Sequence, residues 1–258
     1  MKLSICIVNY KTKDVTLRSI ASIYKYFKGE DFEIILLDNT PDQNIFKEDI
    51  KQYKEIKLYH NFRNTYFSGG FNQAISYATG EYVLVMSSDI ILLDDSVSLM
   101  LELITTRPDI GAAEGTLLNS RNNEVTPTGS RELTRFRDLV RSHNILKAIF
   151  KKTYRDYSYA GWDRMDSREV EVITNAFTIF RRDVLISIQG FEEAMKLYFT
   201  EERMSDMLRA KGLKIWHHGI ARVEHYESAS TGSCSSKWIK ALYKSDKKLY
   251  FALKNGIR

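Results

Sequence analysis

Three carboxylates and one imidazole stand where this chain could most easily build chemistry. Asp89 closes the triplet Ser87-Ser88-Asp89, directly after the apolar run Tyr82 to Met86. That run has the length and β-branched content of a strand buried on both faces, so the triplet falls at a strand end. An open α/β sheet takes its ligand at such an edge. A carboxylate there can hold Mg²⁺ or Mn²⁺ against a diphosphate, because hard oxygen ligands suit both ions and phosphate oxygens fill the remaining positions. The plainer role for Asp89 is a turn or helix-cap aspartate. Glu201 and Glu202 open a helix that runs through Met204, Met207 and Leu208 to Gly212. Either can act as a general base over the sheet edge, or both, behind a Thr200 cap, simply complement the helix dipole. His225 follows the short apolar stretch Ala221 to Val223, where an imidazole is either structural or a second cation ligand.

The elements that must carry these groups can be read in order. Leu3 to Val8 is a compact apolar strand ending in Asn9-Tyr10, and Val15 to Phe27 has helical spacing behind Asp14 as N-cap. Phe32 to Leu37 is a second buried strand running into Asp38-Asn39, so a right-handed βαβ unit delivers two polar strand ends to one edge, where they would see a nucleotide base and ribose. Ile56 to Tyr59 is a third strand. Asn61 to Asn72 reads as a loop whose Gly69-Gly70 lets the backbone approach a ligand, leading into a helix over Phe71 to Ala78. Asp95 to Thr106 is an amphipathic helix, and Ile110 to Gly115 a strand. Leu117 to Asp166 loosens into a long insertion of substrate-facing character, with an apolar and basic segment from Phe136 to Tyr154. Order returns with a strand over Val170 to Phe180, a helix over Val184 to Ile188, and short strands at Lys214 to Trp216 and Ala221 to Val223.

With 258 residues and 43% hydrophobic content the chain can bury a full core. Three prolines and no low-complexity stretch leave no visible linker, so one continuous domain with a C-terminal appendage is expected. Cys6 and Cys234 are too few for a disulfide framework or a structural zinc site, which fits a cytoplasmic chain. The start MKLSICIVNYK is too short an apolar run for a leader or a membrane span. The net charge of +5 is uneven, because Lys237, Lys240, Lys244, Lys247, Lys248, Lys254 and Arg258 crowd the C-terminus. Confined to one end and without a recognised binding module, that charge does not point to nucleic acid. Trp238, Leu242, Leu249, Tyr250 and Leu253 lie among those lysines, so the segment suits an anionic bilayer at the inner face of the cell membrane. The alternative is a helix packed on the domain or on the second subunit of a homodimer.

Taken together, SICIVNYKTKD, EIILLDNTPDQ, NFRNTYFSGGFNQAI, YVLVMSSDIILL, ITNAFTIFRRDVLISIQGFEE with YFTEERMSDMLRAKGLKI, and ARVEHYESAST follow one another over nearly the whole chain. In that order they resemble the family 2 nucleotide-sugar glycosyltransferases of GT-A fold, rhamnosyltransferase-like branch. The resemblance implies an α/β fold with a single Rossmann-like mixed sheet and helices on both faces, a GT-A domain over residues 1–232 and a basic helical segment over 233–258. It implies inverting transfer of a sugar from a UDP- or dTDP-linked donor to a hydroxyl of a glycan or lipid-linked saccharide. Val8, Tyr10 and Asp38 match the positions that hold base and ribose, with Arg63, Asn64, Gly69 and Asn72 lining the same pocket and Ser88 among the nucleotide-sugar-binding residues. Asp89 and His225 match the metal ligands, Glu201 the base with Glu202 as a one-residue alternative, and Lys244 on the closing helix a group reaching the diphosphate.

Three positions depart from the family's pattern. Ser87 replaces the first acid of the metal motif, which leaves the ion to Asp89, His225 and phosphate. Tyr66 stands where the family often has glycine. Glu201 replaces the usual aspartate and places the base one methylene further out. Two other functions compete. A nucleotidyltransferase would need a glycine- and lysine-rich N-terminal loop, whereas the first strand here ends in Asn9-Tyr10. A non-catalytic scaffold subunit that binds nucleotide sugar draws on Ser87, against the retention of Asp89, Glu201 and His225.

Overall fold

The computed structural model describes residues 2–41, 46–226, 236–254 and 256. Cys234, the expected boundary at residues 232 and 233, and the tail of the last motif lie outside the described residues. In chain order the strands are β1 (Leu3–Asn9), β2 (Phe32–Asp38), β3 (Ile56–His60), β4 (Tyr82–Ser87), β5 (Ile90–Leu92), β6 (Ile110–Asn119), β7 (Arg168–Val170), β8 (Phe177–Arg181) and β9 (Lys214–His225). The helices are α1 (Lys13–Tyr26), α2 (Tyr66–Tyr77), α3 (Ser96–Thr106), α4 (Arg135–Ser142), α5 (Asn144–Ile149), α6 (Lys151–Tyr157), α7 (Arg182–Ser187), α8 (Thr200–Ala210) and α9 (Ser236–Lys254).

One mixed sheet runs β3-β2-β1-β4-β8-β6-β9-β5, with β7 also paired to β9. The half β3-β2-β1-β4 is parallel, β8 is antiparallel to both β4 and β6, and β9 is parallel to β6. Because side chains alternate along a strand, each central strand feeds two cores. Leu3, Ile5, Ile7, Ile34, Leu36, Leu84 and Met86 pack on one face with α1 and α3. Cys6, Ile35, Leu37, Val83 and Val85 pack on the other with α2, α7 and α8. This is why the strands read as unbroken apolar runs. A third cluster of Leu133, Tyr157, Met195, Phe199, Tyr250 and Phe251 binds the insertion and α9 to the approach of α8.

Several local readings of the sequence are corrected. Helix α1 starts one residue before Asp14, with Thr12 at the cap position. Helix α2 begins at Tyr66, so Gly69-Gly70 sit inside it. A Cβ on Gly70 would lie 2.9 Å from Val8 Cγ1, so that glycine lets α2 close onto the end of β1 instead of admitting a ligand. The stretch read as one strand over Val170 to Phe180 is β7 and β8, separated by residues 171–176. Phe199, in a left-handed conformation (φ 61°), precedes α8, and Thr200 is its first helical residue. The insertion expected to be irregular carries α4, α5 and α6. The two short strands expected near the end are one strand, β9. No helix among the described residues is long and apolar enough to cross a membrane.

Candidate active site

The carboxyl ends of β1, β2 and β4 are tied by a polar lattice that fixes the triplet after β4. Asn9 Nδ2 donates to Asp38 Oδ1 at 2.8 Å, and Asn9 Oδ1 accepts from the Thr12 amide at 3.1 Å and the Thr12 hydroxyl at 2.8 Å. The Thr12 hydroxyl lies 3.1 Å from that of Ser88. Asn9, Asp38 and Thr12 are buried, so the lattice acts in a low dielectric where such bonds hold firmly. Its consequence is a fixed backbone at Asp89.

Beside the triplet a cavity of about 340 Å³ opens, lined in part by Val8, Tyr10, Asn64, Ser88, Asp89, Glu201 and His225. Of the sequence candidates, these seven come together. Ile90 pairs with His225 across β5 and β9, and the Tyr226 amide donates to the Asp89 carbonyl at 3.0 Å. The two side chains therefore meet, with Asp89 Oδ1 3.4 Å from His225 Nε2. His225 Nδ1 is buried and lacks a hydrogen-bond partner. A carboxylate oxygen and an imidazole nitrogen side by side on a cavity wall fit a divalent cation that takes its other ligands from phosphate. The described residues hold no group of three or more His, Cys, Asp or Glu arranged for a metal. Any ion here must be held partly by its ligand.

Glu201 reaches the cavity from the first turn of α8, where its Oε2 accepts from the Thr200 hydroxyl at 3.0 Å. Burial, and then the neighbouring charge of Glu202, push the Glu201 carboxyl up to about 7. Burial raises Glu202 too, opposed by the Arg141 guanidinium, which lies 3.5 Å from its Oε1. A carboxyl poised near neutrality inside a ligand cavity is suited to proton transfer. Glu202 does not line the cavity and is occupied with Arg141.

The other sequence candidates lie elsewhere. Asp38 is fully buried and does not line the cavity, with Oδ2 3.4 Å from His60 Nδ1. Arg63, Gly69 and Asn72 border a separate cleft with Glu193. Asn72 is occupied with the chain at Phe191, accepting from its amide and donating to its carbonyl, each at 2.8 Å. Lys244 is exposed on α9 and does not line the cavity.

Several groups that shape the cavity were missed in the sequence or, like Asn39 and Tyr66, were named there without the contacts they make. Asn39 holds the segment before α2, accepting from the Thr65 amide at 3.1 Å and donating to the Tyr66 carbonyl at 3.2 Å. Tyr66 is thereby kept at φ 60°, a conformation that favours glycine, and its ring stacks 6.2 Å from that of Trp238 on α9. Both rings line the cavity, and Lys196 lies over Tyr66 at 4.8 Å. Asn175 also lines it, 1% exposed, with neither amide atom bonded. An unpaired buried amide costs about 1–3 kcal/mol, which a ligand in the cavity would recover. The loop that presents it is held by Glu114 on β6, whose Oε2 accepts from the Thr174 amide at 2.7 Å while Oε1 contacts His217 Nδ1 at 2.9 Å.

One mixed sheet whose parallel half ends around this cavity is the arrangement of a GT-A fold, which the solved structures that follow share. The family model described as glycosyl transferase family 2 matches residues 4–188, and the chain belongs to that family. It is 25% identical over 228 residues to the O-antigen biosynthesis protein RfbC of Myxococcus xanthus, covering 87% of this chain but only 17% of that protein. Among solved structures it is similar to GalNAc-T7 crystallised with UDP, GalNAc and Mn²⁺, at TM-score 0.66 and 13% identity over 97% of this chain and 50% of that one. The mannosyltransferase PcManGT from Pyrobaculum calidifontis, in complex with GDP-Man and Mn²⁺, gives TM-score 0.60 and 13% identity, covering 92% of this chain and 59% of that one. TarS of S. aureus gives 0.61 and 16%, covering 88% and 37%. The chain thus spans about half or less of most of these relatives.

Proposed function

We propose that this chain transfers a single sugar, with inversion, from a UDP- or dTDP-linked donor to a hydroxyl of a glycan or lipid-linked saccharide. The observation that carries the reading is the convergence of Asp89, His225 and Glu201 on one cavity. Val8, Tyr10 and Asn64 form the nucleotide side of that cavity, and Ser88 and Asn175 supply hydrogen-bonding groups for the diphosphate. The Tyr66 and Trp238 rings offer an apolar face for a sugar or base.

Glu201 takes the proton of the acceptor hydroxyl. The acceptor oxygen then bonds to the anomeric carbon on the face opposite the diphosphate, and the carbon–oxygen bond to the diphosphate breaks with its electron pair leaving on the nucleotide. Asp89 and His225 would hold Mg²⁺ or Mn²⁺, which when bound neutralises charge on the diphosphate oxygens. Arg141 holds Glu202 and so limits the negative charge facing Glu201.

Thermal stabilisation by UDP, dTDP, GDP and ADP, each with Mg²⁺, Mn²⁺ or chelator, tests the donor site without an acceptor, because a ligand bound only to the folded state raises Tm. A metal-dependent shift with UDP or dTDP, lost in Asp89→Ala, is expected. A shift indifferent to chelator removes the metal role from Asp89 and His225. No shift with any nucleotide overturns the transferase reading, and binding without turnover on a broad acceptor panel leaves the scaffold subunit.

A further inference from the structure

Helix α5 buries none of its residues, although Ile145, Leu146, Ala148 and Ile149 are apolar. So short a helix has no stability of its own and must be held by its neighbours. Here α4, α5 and α6 pack on one another. Helix α4 buries Asp138 and Val140 and turns Phe136 (47% exposed) and Leu139 (48%) outward. Ile145 is 76% exposed, Ile149 66% and Phe150 38%. The Phe136 and Phe150 rings meet edge to face at 5.1 Å, so α4 and the end of α5 share one apolar patch. No described residue covers it. Patches of this kind mark contact surfaces.

The charge around the patch selects the partner. Between residues 135 and 157 there are seven Lys or Arg against Asp138 and Asp156. Asp138 is buried and committed to Arg141 at 3.2 Å and Lys247 at 2.6 Å. Lys151, Lys152 and Arg155 are exposed, and Lys147 lies over Tyr154. The outward charge is thus almost wholly positive. Two copies meeting through this patch on a twofold axis would set like charges against each other. We infer that the α4–α6 segment docks on an anionic lipid bilayer, its apolar residues in the boundary between headgroups and acyl chains and its lysines among lipid phosphates. The lysines of this surface lie on α5 and α6, whereas the other basic run lies on α9.

The contact stands on exposure and charge; only its purpose rests on the proposed function. Helix α4 turns Phe136 and Leu139 outward and Arg141 inward to Glu202, next to Glu201. Docking there keeps the cavity beside a bilayer that holds a lipid-linked acceptor.

Co-sedimentation with extruded vesicles of phosphatidylcholine, alone or with 30% phosphatidylglycerol, tests it in the absence of any donor. Partition is expected to rise at least tenfold with the anionic lipid and to fall on adding salt. Both Ile145→Asp/Ile149→Asp and Lys147→Glu/Lys151→Glu/Lys152→Glu should lower it at least tenfold, with Tm and transfer to a water-soluble acceptor unchanged. Lys237→Glu/Lys240→Glu/Lys244→Glu should lower it by less. Equal partition to neutral vesicles, binding lost only in the α9 variant, or a dimer dissociated by Ile145→Asp/Ile149→Asp would each overturn the proposal. Because vesicle binding is read without turnover, a chain inactive on every donor would still show it, and the two readings fail separately.

Discussion

Removing the Asp246 carboxylate should loosen the cavity from a helix that supplies neither Glu201 nor the Asp89 and His225 pair. Asp246 is 1% exposed on α9, and its Oδ2 accepts from the amides of Lys196, Leu197 and Tyr198 at 3.2, 3.0 and 3.0 Å. These three residues form the turn that leads into Phe199 and Glu201. Hydrogen bonds to a charged group contribute about 1.5–3 kcal/mol each, but three on one oxygen are not additive, and burying the carboxylate offsets part of the gain. Asp246→Ala is therefore expected to cost about 3 kcal/mol, and Asp246→Asn about half of that, since a neutral acceptor is roughly half as strong. For a chain of this size the alanine variant should melt roughly 6–12 °C lower by calorimetry. A displacement of about 1 Å at Glu201 can cost on the order of a hundredfold in rate, so kcat should fall tenfold or more while the donor KM stays within about threefold. An alanine variant that melts within about 2 °C of the parent and keeps kcat within twofold would show that the turn stands without α9.

The pH profile follows from Glu201. As base it must be ionised, so kcat/KM should rise with pH to a plateau above about 7, the acid limb reporting its carboxyl. Glu202→Gln removes the second cause of the raised value and should move that limb down by up to about one pH unit. Glu201 holds its proton in the folded state over a range, from about 4.5 to about 7, where the unfolded chain has released it. Folding stability therefore falls as pH rises through that window, and Glu201→Gln should abolish the fall, raising Tm at pH 8 by a few degrees while ending transfer. Trp238→Ala removes the ring stacked on Tyr66 and should raise a substrate KM by roughly twofold to tenfold with little change in kcat, from the ~0.5–1.5 kcal/mol of an aromatic pair; steady-state kinetics with each substrate varied in turn would read it.

What could be read from the sequence was what the strand ends dictate. A buried parallel strand must stop on polar residues, and the sheet brings those stops to one edge, so Asp89 and Tyr10 could be placed together before any contact was known, whereas Val8 came only from the family resemblance. Groups fixed by distant packing could not. Asp246 meets the turn before α8 across some fifty residues, and Asn175 is distinctive only because nothing bonds it. The glycine pair misled because one signature serves two causes. Only the approach of Val8 Cγ1 shows that Gly70 answers helix packing.

His225 shows why a residue that lines the cavity can be reached by an incomplete route. Its stretch was expected as two short strands because His217 to Ile220 breaks the apolar pattern, yet β9 continues through it. Against β6 the pairing steps from Gly115 with His218 to Thr116 with Arg222, so β9 carries three extra residues at that point. Room for them comes from Gly115, where a Cβ would lie 2.6 Å from the Ala221 carbonyl oxygen. Side chains alternate along a strand, so an odd insertion reverses the face presented beyond it. Without that bulge, β9 would meet β5 with the opposite face forward, and the imidazole that now lies beside Asp89 would point away from the cavity.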